Sequence, residues 1–410
     1  MGVRSKIRSV ETLACDAGWR NYYFVKVQVE DGNVGWSEFS EGFGAPGVAA
    51  AIDQLSGHLI GQPVGDHERI FAELYAHVRP AAGGVAALAL GAIENALLDA
   101  KAKALDVPCY ELLGGKVRDR IRLYWSHCCT WRINHAQHYT NSAPITDLDG
   151  VKAMGREVRD KGFSACKTNI FIYDKDGRNP KGWRPGFGSP NQPDLNVDRN
   201  VLGNLRMHLE ALRDGLGPDI DMLLDLNFHA KTEGFLKILR HTADMDMFWV
   251  EIDSYNAEAL AYIRSHSPHP ISSCETLLGI RDFLPFFRNQ SMDVAIVDTP
   301  WNGVWQSMKI ANLAEAYEVN VAPHNFYGHL CTMMNAHFAA AVPNLRIMEI
   351  DIDRLPRDAE LFTYIPEIAD GHLVLPDRAG WGTEPNEEAM RAYPLISSGG
   401  LGDYARSKKS

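Results

Sequence analysis

Two patterns of apolar and polar positions divide the chain. Near its start, Tyr22 to Val29 and Gly35 to Glu38 alternate as strands do, and Val85 to Leu105 repeats apolar positions at helical spacing. From Ile121 onward, short apolar runs of strand type and helical segments follow one another about eight times. This rhythm predicts an α+β unit followed by a (β/α) barrel. A doubly wound sheet fits less well, because no Gly-rich phosphate-binding sequence opens any of the helices.

One connection of the predicted barrel is unusually long. Residues 171–196 follow the second barrel strand and are rich in Pro and Gly. A long loop in a compact domain is usually functional or disordered, and barrel active sites lie on the face where this loop begins. We interpret it as a wall of the active site, with a peripheral or oligomer-contact loop as the alternative.

The composition limits which binding partners and which cellular location we expect for the protein. The chain has 410 residues and a formal net charge of −11, which argues against non-specific binding to nucleic acid. The first residues lack an apolar leader, and the longest run of small apolar residues contains Glu94 and Asp99, so we expect no membrane partner. Seven cysteines without a CxxC pair disfavour a disulfide framework or a zinc site and favour a cytoplasmic location.

Acidic residues end three consecutive strands of the predicted barrel. Asp225 ends MLLD, Glu251 ends FWVE and Glu275 ends SSCE. A single such residue is commonly the N-cap of the following helix. Three at successive strand ends lie side by side on the barrel rim, where burial is costly unless a cation neutralises them. Carboxylate oxygens without Cys or His suit a hard cation, so we predict an Mg²⁺ site.

A second polar group follows other strands. Lys167 and Asn169 end the second strand, Asp298 ends AIVD and His324 follows one repeat later in VAPHNF. A carboxylate on the neighbouring strand can fix one tautomer of an imidazole and raise its basicity. We therefore predict His324 as a general base oriented by Asp298, against the alternative of a structural histidine.

These residues lie in longer stretches that resemble the enolase superfamily, in its mandelate racemase branch. The resemblance covers nearly the whole chain. The stretches that show the resemblance are GAIENALLDAKAKALDVPCYELLGGKVRDRI, ACKTN, LLDLNFH, FWVEID, SSCETL, AIVDTPWNGVWQSMKIANLAEAYEVNVAPHN, RIMEID and DGHLVLPDRAGWGTEPNEEAM.

The resemblance implies an α/β fold, a modified TIM barrel of (β/α)7β type with an α+β capping domain. The cap would be built from residues 1–120 and from a returning C-terminal segment, 361–410, with the barrel at 121–360. The loops near Asp16 to Arg20 and Glu41 to Pro46 would close over the substrate.

The resemblance also implies roles for individual residues. Asp225, Glu251 and Glu275 would bind Mg²⁺, and Asp298 with His324 would form the base dyad. Glu349 would hydrogen-bond the substrate carboxylate, and Lys167 together with a protonated Glu349 would help to offset the charge of an enediolate.

One departure from the racemase pattern bears on the reaction. Racemases of this branch carry Lys-x-Lys on the second strand, whereas this chain has Lys167-Thr168-Asn169. Asn cannot exchange a proton usefully at neutral pH, so a base remains on one face only. The pattern is similar to that of galactonate-type dehydratases.

We therefore predict a dehydratase (a hydro-lyase) of an aldonate or aldarate that gives a 2-keto-3-deoxy acid. A cycloisomerase or an epimerase or racemase of a sugar acid or lactone, and a non-catalytic metal-binding scaffold, remain alternatives. The position where the dehydratases have a His is Asn227 here, so His324 itself, Tyr173, His229 or a loop residue would return the proton to the leaving hydroxide.

Substrate contacts and assembly complete the expectations. The candidate contacts for a small acid-sugar substrate are Asn169, Asn227, Tyr173, Arg184 with Trp183, Arg20 with Trp19, and Trp301 with Asn302. Trp301 could equally be packing. We also expect a homo-oligomer, from dimer to octamer.

Overall fold

A computed structural model describes residues 2–18, 20–41, 45–138, 142–185 and 197–395. The N-terminal unit contains the 3₁₀ turn Gly2–Arg4, strands β1 (Ile7–Asp16), β2 (Asn21–Val29) and β3 (Val34–Phe39), helices α1 (Val48–Ser56) and α2 (His67–Val78), the 3₁₀ turn Arg79–Ala81, and helices α3 (Gly84–Ala104) and α4 (Cys109–Leu112). The three strands form an antiparallel sheet in the order β1-β2-β3. We call this unit the cap.

The remaining strands and helices alternate along the chain. The strands are β4 (Arg120–Trp125), β5 (Ala165–Thr168), β6 (Phe171–Ile172), β7 (Lys181–Gly182), β8 (Asp221–Asp225), β9 (Trp249–Glu251), β10 (Ile271–Ser273), β11 (Val294–Val297), β12 (Asn320–Pro323), β13 (Met348–Ile350), β14 (Glu367–Ala369) and β15 (His372–Val374). The helices are α5 (Thr130–Asn134), α6 (Leu148–Asp160), α7 (Arg199–Leu216), α8 (Thr232–His241), α9 (Ala257–Ser265), α10 (Ile280–Arg288), α11 (Thr299–Asn302), α12 (Val304–Ala316), α13 (His329–Ala341), α14 (Pro356–Glu360) and α15 (Glu387–Ala392).

Eight of the described strands form a closed parallel barrel. Their order is β4-β5-β8-β9-β10-β11-β12, and β13 pairs with β4 in parallel. A bridge between Val321 and Leu345 joins β12 to the segment before β13 and completes the circle. Each of the first seven strands is followed by one or two helices, and β13 is the last, which is the (β/α)7β arrangement that the resemblance implied.

The cap and the barrel are joined by polar side chains of helix α3. Glu94 accepts hydrogen bonds from the backbone N–H groups of Trp305 (3.1 Å) and Gln306 (3.3 Å) in the first turn of α12. Asn95 accepts from the N–H of Val304 at 2.7 Å and donates to the carbonyl of Thr299 at 3.1 Å. These contacts place the helix directly behind the turn that follows β11.

The C-terminal segment contacts both parts. Strands β14 and β15 form a hairpin whose β15 pairs antiparallel with β4. Further along, the fully buried Trp381 donates from its indole N–H to the carbonyl of Trp36 in the cap at 3.0 Å, and its backbone N–H donates to Asp99. The division of the chain at residues 120 and 360 stays a prediction.

Among the helices that the structure describes, we find none with the length and apolarity needed to cross a membrane.

Candidate active site

The polar residues at the carboxyl ends of the barrel strands lie next to a layer of buried, mostly apolar residues inside the barrel. Because side chains of a strand alternate between its two faces, residues two apart share a face. The fully or nearly fully buried interior residues are Tyr124, Ala165, Leu223, Trp249, Ile296, Ala322 and Ile347. The residues two positions later are Ser126, Lys167, Asp225, Glu251, Asp298, His324 and Glu349. The barrel interior therefore sets the direction in which these polar groups point.

Lys167 lies at the centre of the acidic residues. Its Nζ is 3.0 Å from Glu251 Oε2, 3.2 Å from Glu349 Oε1 and 3.6 Å from Asp225 Oδ2. Burial alone would lower the pKa of Lys167, but Glu251 and Glu349 outweigh it and raise the pKa well above the usual value. Lys167 is thus held as an ammonium and can donate hydrogen bonds but not accept a proton.

The three predicted metal ligands are brought to one end of the barrel. Burial raises the pKa of Glu251 to about 8, Lys167 opposes this rise, and Asp225 adds to it. Burial also raises the pKa of Glu275, although His324 and Lys167 oppose it. Carboxyl groups crowded in this way need positive charge beyond that of Lys167 to ionise together.

The donor chemistry fits a hard cation. In the described part of the chain, no group of three or more His, Cys, Asp or Glu side chains is arranged to hold a metal ion as it stands. However, Glu251 Oε1 is buried and has no hydrogen-bond partner among the residues that the structure describes, which leaves a carboxylate oxygen beside Asp225 and Glu275 for such an ion. An all-oxygen anionic set of this kind matches Mg²⁺.

His324 and Asp298 form the expected pair. His324 Nδ1 donates to Asp298 Oδ2 at 2.6 Å, while Nε2 lies 3.5 Å from Glu275 Oε1 and 3.9 Å from Glu349 Oε2. The Nε2 atom therefore faces the carboxylate cluster. Burial would lower the pKa of His324, but Glu275, Glu349 and Asp298 together raise it to about 10.

Asp298 has two further donors. The Tyr327 hydroxyl donates to Oδ2 at 2.6 Å, and the backbone N–H of Trp301 donates to Oδ1 at 2.7 Å. Asp298 is thereby also the N-cap of the short helix α11. Both carboxylate oxygens are fixed, so the imidazole that they hold is fixed as well.

Glu349 accepts hydrogen bonds on both of its carboxyl oxygens, and its role as a protonated donor, which the resemblance implied, stays a prediction. Its Oε1 accepts from the Ser126 hydroxyl, and its Oε2 accepts from the backbone N–H of Asn325 at 2.8 Å. Burial would raise its pKa, but Lys167 and His324 outweigh this and hold the pKa of Glu349 below its usual value. The physical reason is the closeness of two positive groups, since Lys167 Nζ lies 3.2 Å from Oε1 and His324 Nε2 lies 3.9 Å from Oε2.

Asn169 and Asn227 contact the segment around Asp225. Asn169 accepts from the Thr130 hydroxyl at 2.7 Å and donates to the Asp225 carbonyl at 3.3 Å. Asn227 has a positive φ of 45° and donates its backbone N–H (3.0 Å) and its amide to Asp225 Oδ1. In this arrangement both amides orient the first predicted metal ligand.

Two of the expected substrate contacts lie at the barrel mouth. The guanidinium of Arg20, from the cap, lies 5.6 Å from the centre of the Phe326 ring, which itself lies 5.0 Å from the His324 ring. Trp301 is half-buried, and its ring lies 5.9 Å from that of His324. Trp301 therefore lies beside His324, and Arg20 is separated from it by the Phe326 ring.

Other expected contacts are placed differently. The Tyr173 hydroxyl is buried and bonds His208 Nδ1 at 2.7 Å, away from the carboxylate cluster, because helix α7 packs against β6. Arg184 is exposed, and its neighbour Trp183 lies 5.9 Å from the ring of His229. Trp19, residues 42–44 of the expected cap loop and residues 186–196 of the long loop fall outside the described residues.

Three residues of the site escaped the sequence analysis: Ser126, Tyr327 and Asp253. Ser126 and Asp253 each lie two positions from another inward-facing residue, so the strand period could have found them. Asp253 is 4% exposed and lies two residues beyond Glu251. Tyr327 lies in the loop after β12, where no period predicts direction.

Comparison with known families agrees with this geometry. Residues 5–114 match the family "Mandelate racemase / muconate lactonizing enzyme, N-terminal domain", and residues 150–389 match "Enolase C-terminal domain-like". The chain belongs to the enolase superfamily, in its mandelate racemase branch. The predicted family is confirmed, and with it the modified barrel and cap typical of enolase superfamily enzymes.

Named relatives within the superfamily carry several activities. A D-galactonate dehydratase family member from Streptomyces bingchenggensis is 28% identical over 95% of this chain and 93% of its own length. A D-galactarolactone cycloisomerase from Agrobacterium fabrum is 27% identical over 92% of each chain. A solved structure from Burkholderia xenovorans strain LB400, provisionally named an L-alanine-DL-glutamate epimerase and bound to magnesium and fumarate, is 66% identical with a TM-score of 0.95, covering 98% of this chain and 99% of its own.

Proposed function

We propose that the protein is an Mg²⁺-dependent dehydratase of a sugar acid. The observation that carries this proposal is the direction of His324: its Nδ1 is fixed by Asp298, and its Nε2 faces the acidic cluster around Lys167. A substrate carboxylate near Lys167 would thus bring its α-carbon towards a single oriented base.

The reaction follows from the roles of these residues. His324 Nε2 takes the α-proton, the electron pair of that C–H bond enters the carboxylate as an enediolate, and the Lys167 ammonium offsets the added charge. The enediolate then expels the β-hydroxyl as the C–O bond breaks, and the imidazolium returns its proton to give water. The enol product tautomerises to a 2-keto-3-deoxy acid.

Asp225, Glu251 and Glu275 would hold the cation. Bound Mg²⁺ would supply positive charge that stabilises the enediolate. It would also offset the charge of Glu275, which without metal raises the pKa of His324.

The described site supports one-sided proton transfer. Glu349, which is not one of the predicted metal ligands, lies 3.2 Å from Lys167 Nζ and stabilises its ammonium form. Asn169 is an amide engaged with Thr130 and Asp225. Racemisation needs an acid and a base on opposite faces, whereas elimination can use one residue for both transfers. This favours dehydration.

A cycloisomerase or epimerase is the second candidate. It is favoured by the named activities of the Agrobacterium and Burkholderia relatives, which share the fold at similar or higher identity than the dehydratases. The same first step, abstraction by His324, would serve it.

The test is a screen of mono- and dicarboxylic sugar acids and lactones with MgCl₂, followed by detection of keto acids with semicarbazide. Dicarboxylates belong in the panel because the Burkholderia structure holds fumarate. Dehydration gives a semicarbazone signal and isomerisation does not, whereas a non-catalytic scaffold turns over nothing in the panel.

The variant His324→Asn checks the base. We expect its kcat to fall by roughly 10²- to 10⁴-fold, the usual contribution of a general base, while substrate binding with Mg²⁺ persists. Wild-type turnover by this variant would overturn the assignment.

A further inference from the structure

Asp253 continues the site beyond the end of strand β9. The backbone N–H of Ile252 donates to the Ser272 carbonyl at 3.0 Å, and that of Asp253 donates to the Asn227 carbonyl at 3.1 Å. The chain thus still lies between its two neighbouring strands at this point. By the strand period, Asp253 is on the same face as Glu251.

The side chain of Asp253 differs from those of other buried aspartates at strand ends. Asp298 is held by His324 and Tyr327, and Asp351 lies 2.9 Å from His127 Nδ1. Asp253 is 4% exposed, and among the described residues its Oδ1 has no hydrogen-bond partner. A buried carboxyl group without a hydrogen-bond partner destabilises the fold, so a structural role by itself would not account for it.

The surroundings of Asp253 are acidic. Its backbone hydrogen bonds place it between the segments that carry Asp225 and Glu275, and Glu251 lies two residues before it on the same strand. These three carboxylates are the predicted metal ligands. The unpartnered group therefore lies against the place where a divalent cation would offset its charge.

We propose that Asp253 is a fourth acidic group of the divalent-cation site and increases the affinity of that site for metal. This inference rests on the metal site of the proposed function. The charge of Asp253 attracts the cation whether the side chain contacts the ion directly or through a bound water. Removal of this side chain leaves the three ligands in place. It acts here as a positioning and affinity residue, not as a catalytic one.

Binding of Mn²⁺ to Asp253→Asn tests the proposal. Free Mn²⁺ is measured by its EPR signal, and Mg²⁺ by competition. We expect the dissociation constant to rise about 10- to 100-fold, the usual effect of losing a group that supports a metal site. The matched control is Asp351→Asn, which makes the same change at another buried strand end. The asparagine oxygen can still bond His127, and the metal affinity of this variant should equal that of the wild type.

The stability of the metal-free protein separates this role from a structural one. If Asp253 were a structural acceptor, its replacement would lower Tm. We expect Asp253→Asn to have a metal-free Tm equal to or above that of the wild type, because Oδ1 makes no hydrogen bond with the described residues that the change could break. We also expect a smaller rise of Tm with Mn²⁺. A Mn²⁺ affinity within twofold of the wild type would overturn the proposal.

Two further variants keep the outcomes distinct. Glu251→Gln should abolish Mn²⁺ binding; if it does not, the metal site of the proposed function is wrong. If Glu251→Gln loses binding and Asp253→Asn does not, only the role of Asp253 is wrong. Asp253→Ser, which is smaller and neutral, carries the same test if the Asn variant does not fold.

Discussion

Asp298 shows how a single carboxylate fixes the imidazole of His324, the proposed base. It binds His324 Nδ1 and the Tyr327 hydroxyl through one oxygen and the N–H of Trp301 through the other. Burial raises its pKa, and the hydrogen bond with His324 opposes that rise. Asp298 therefore both orients the imidazole and supplies the charge that stabilises its protonated form.

We expect Asp298→Asn to lower kcat by about 10²- to 10⁴-fold with a smaller effect on KM, because a neutral amide no longer stabilises an imidazolium. Steady-state kinetics on the substrate found by the screen would measure this. Tyr327→Phe is the comparison, since it removes one donor and leaves the Asp298 charge; a loss as large as that of Asp298→Asn would contradict this account.

His208 shows a different use of a buried histidine. The Thr168 hydroxyl donates to the Cys128 carbonyl at 2.9 Å, so it accepts from His208 Nε2, and Nδ1 then accepts from the Tyr173 hydroxyl. The bond that Nδ1 accepts requires the neutral ring, whereas Nε2 donates in either protonation state. Burial accordingly lowers the pKa of His208 to about 3.

This network predicts a pH dependence of stability. The unfolded chain binds a proton at His208 below about pH 6.5, whereas the folded chain does so only near pH 3. Stability should therefore fall as the pH decreases from about 6.5 to 3. Urea unfolding at several pH values should show a weaker dependence in His208→Gln than in the wild type, and an equal dependence would exclude this residue as a source.

At this scale the sequence predicts strand-end residues well and loop residues poorly. Asp225, Glu251 and Asp298 are recognisable because each interrupts an apolar run at a fixed period. Tyr327 and Tyr173 lie outside such runs, and their directions depend on packing against residues from other elements. The roles assigned to the site residues stay predictions.

At the scale of elements, helix α3 approaches the barrel unusually closely. A Cβ on Gly91 would lie 2.7 Å from the Trp301 carbonyl oxygen and 2.8 Å from the Gly303 nitrogen. Only a glycine lets the helix backbone lie against the turn that carries Asp298. The sequence shows this helix as apolar with interspersed polar residues, but the partners of Glu94 and Asn95 are about two hundred residues away and leave no local signal.

We expect Gly91→Ala to lower the free energy of unfolding by about 1–3 kcal/mol and also to lower kcat, because the helix must move away from the 299–303 turn. The matched control is Gly203→Ala in helix α7, where a Cβ meets nothing within 4 Å. That change should be neutral or stabilising by up to about 1 kcal/mol. Urea unfolding and kinetics of the two variants check this, and equal behaviour would contradict the role given to the close approach.

At the scale of the whole molecule, the cap and the barrel share helix α3 and the C-terminal segment. Asp99 accepts from the backbone N–H groups of Trp36 and Trp381, each at 2.8 Å, and bonds Lys103. Strands of the cap, a helix of the cap and the returning tail thus meet on one buried carboxylate. Separate unfolding of the cap would break the two hydrogen bonds that Trp381 of the tail makes with Asp99 and Trp36 and would expose this buried indole.

We therefore expect one calorimetric unfolding transition, with equal calorimetric and van't Hoff enthalpies. Two resolved transitions would show that the cap unfolds independently.

Saturation with Mg²⁺ should raise Tm, since a ligand at 100 times its dissociation constant adds about 2.7 kcal/mol to the free energy of unfolding. EDTA should remove the rise, and Glu251→Gln should lack it.

The overall architecture was predictable because a repeated pattern specifies it many times over. The eight strand-and-helix repeats and the long family stretches agree with the confirmed fold. The long loop is less predictable, because each of its contacts is made once and is not repeated along the chain. Within it, residues Phe171–Ile172 and Lys181–Gly182 pair as a small hairpin. Residues 186–196 lie outside the described residues. Its role as a wall, the oligomeric state and the cytoplasmic location stay predictions.

The two-residue step between the barrel interior and the polar layer also limits how this chain can change in length. Inserting or deleting one residue between Trp249 and Glu251 would turn the acidic group outward, towards the surrounding helices. The same holds for Ala322 and His324. Length variation compatible with activity should therefore occur in the connections between strands, and an insertion scan would separate tolerant loops from intolerant strands without any knowledge of the substrate.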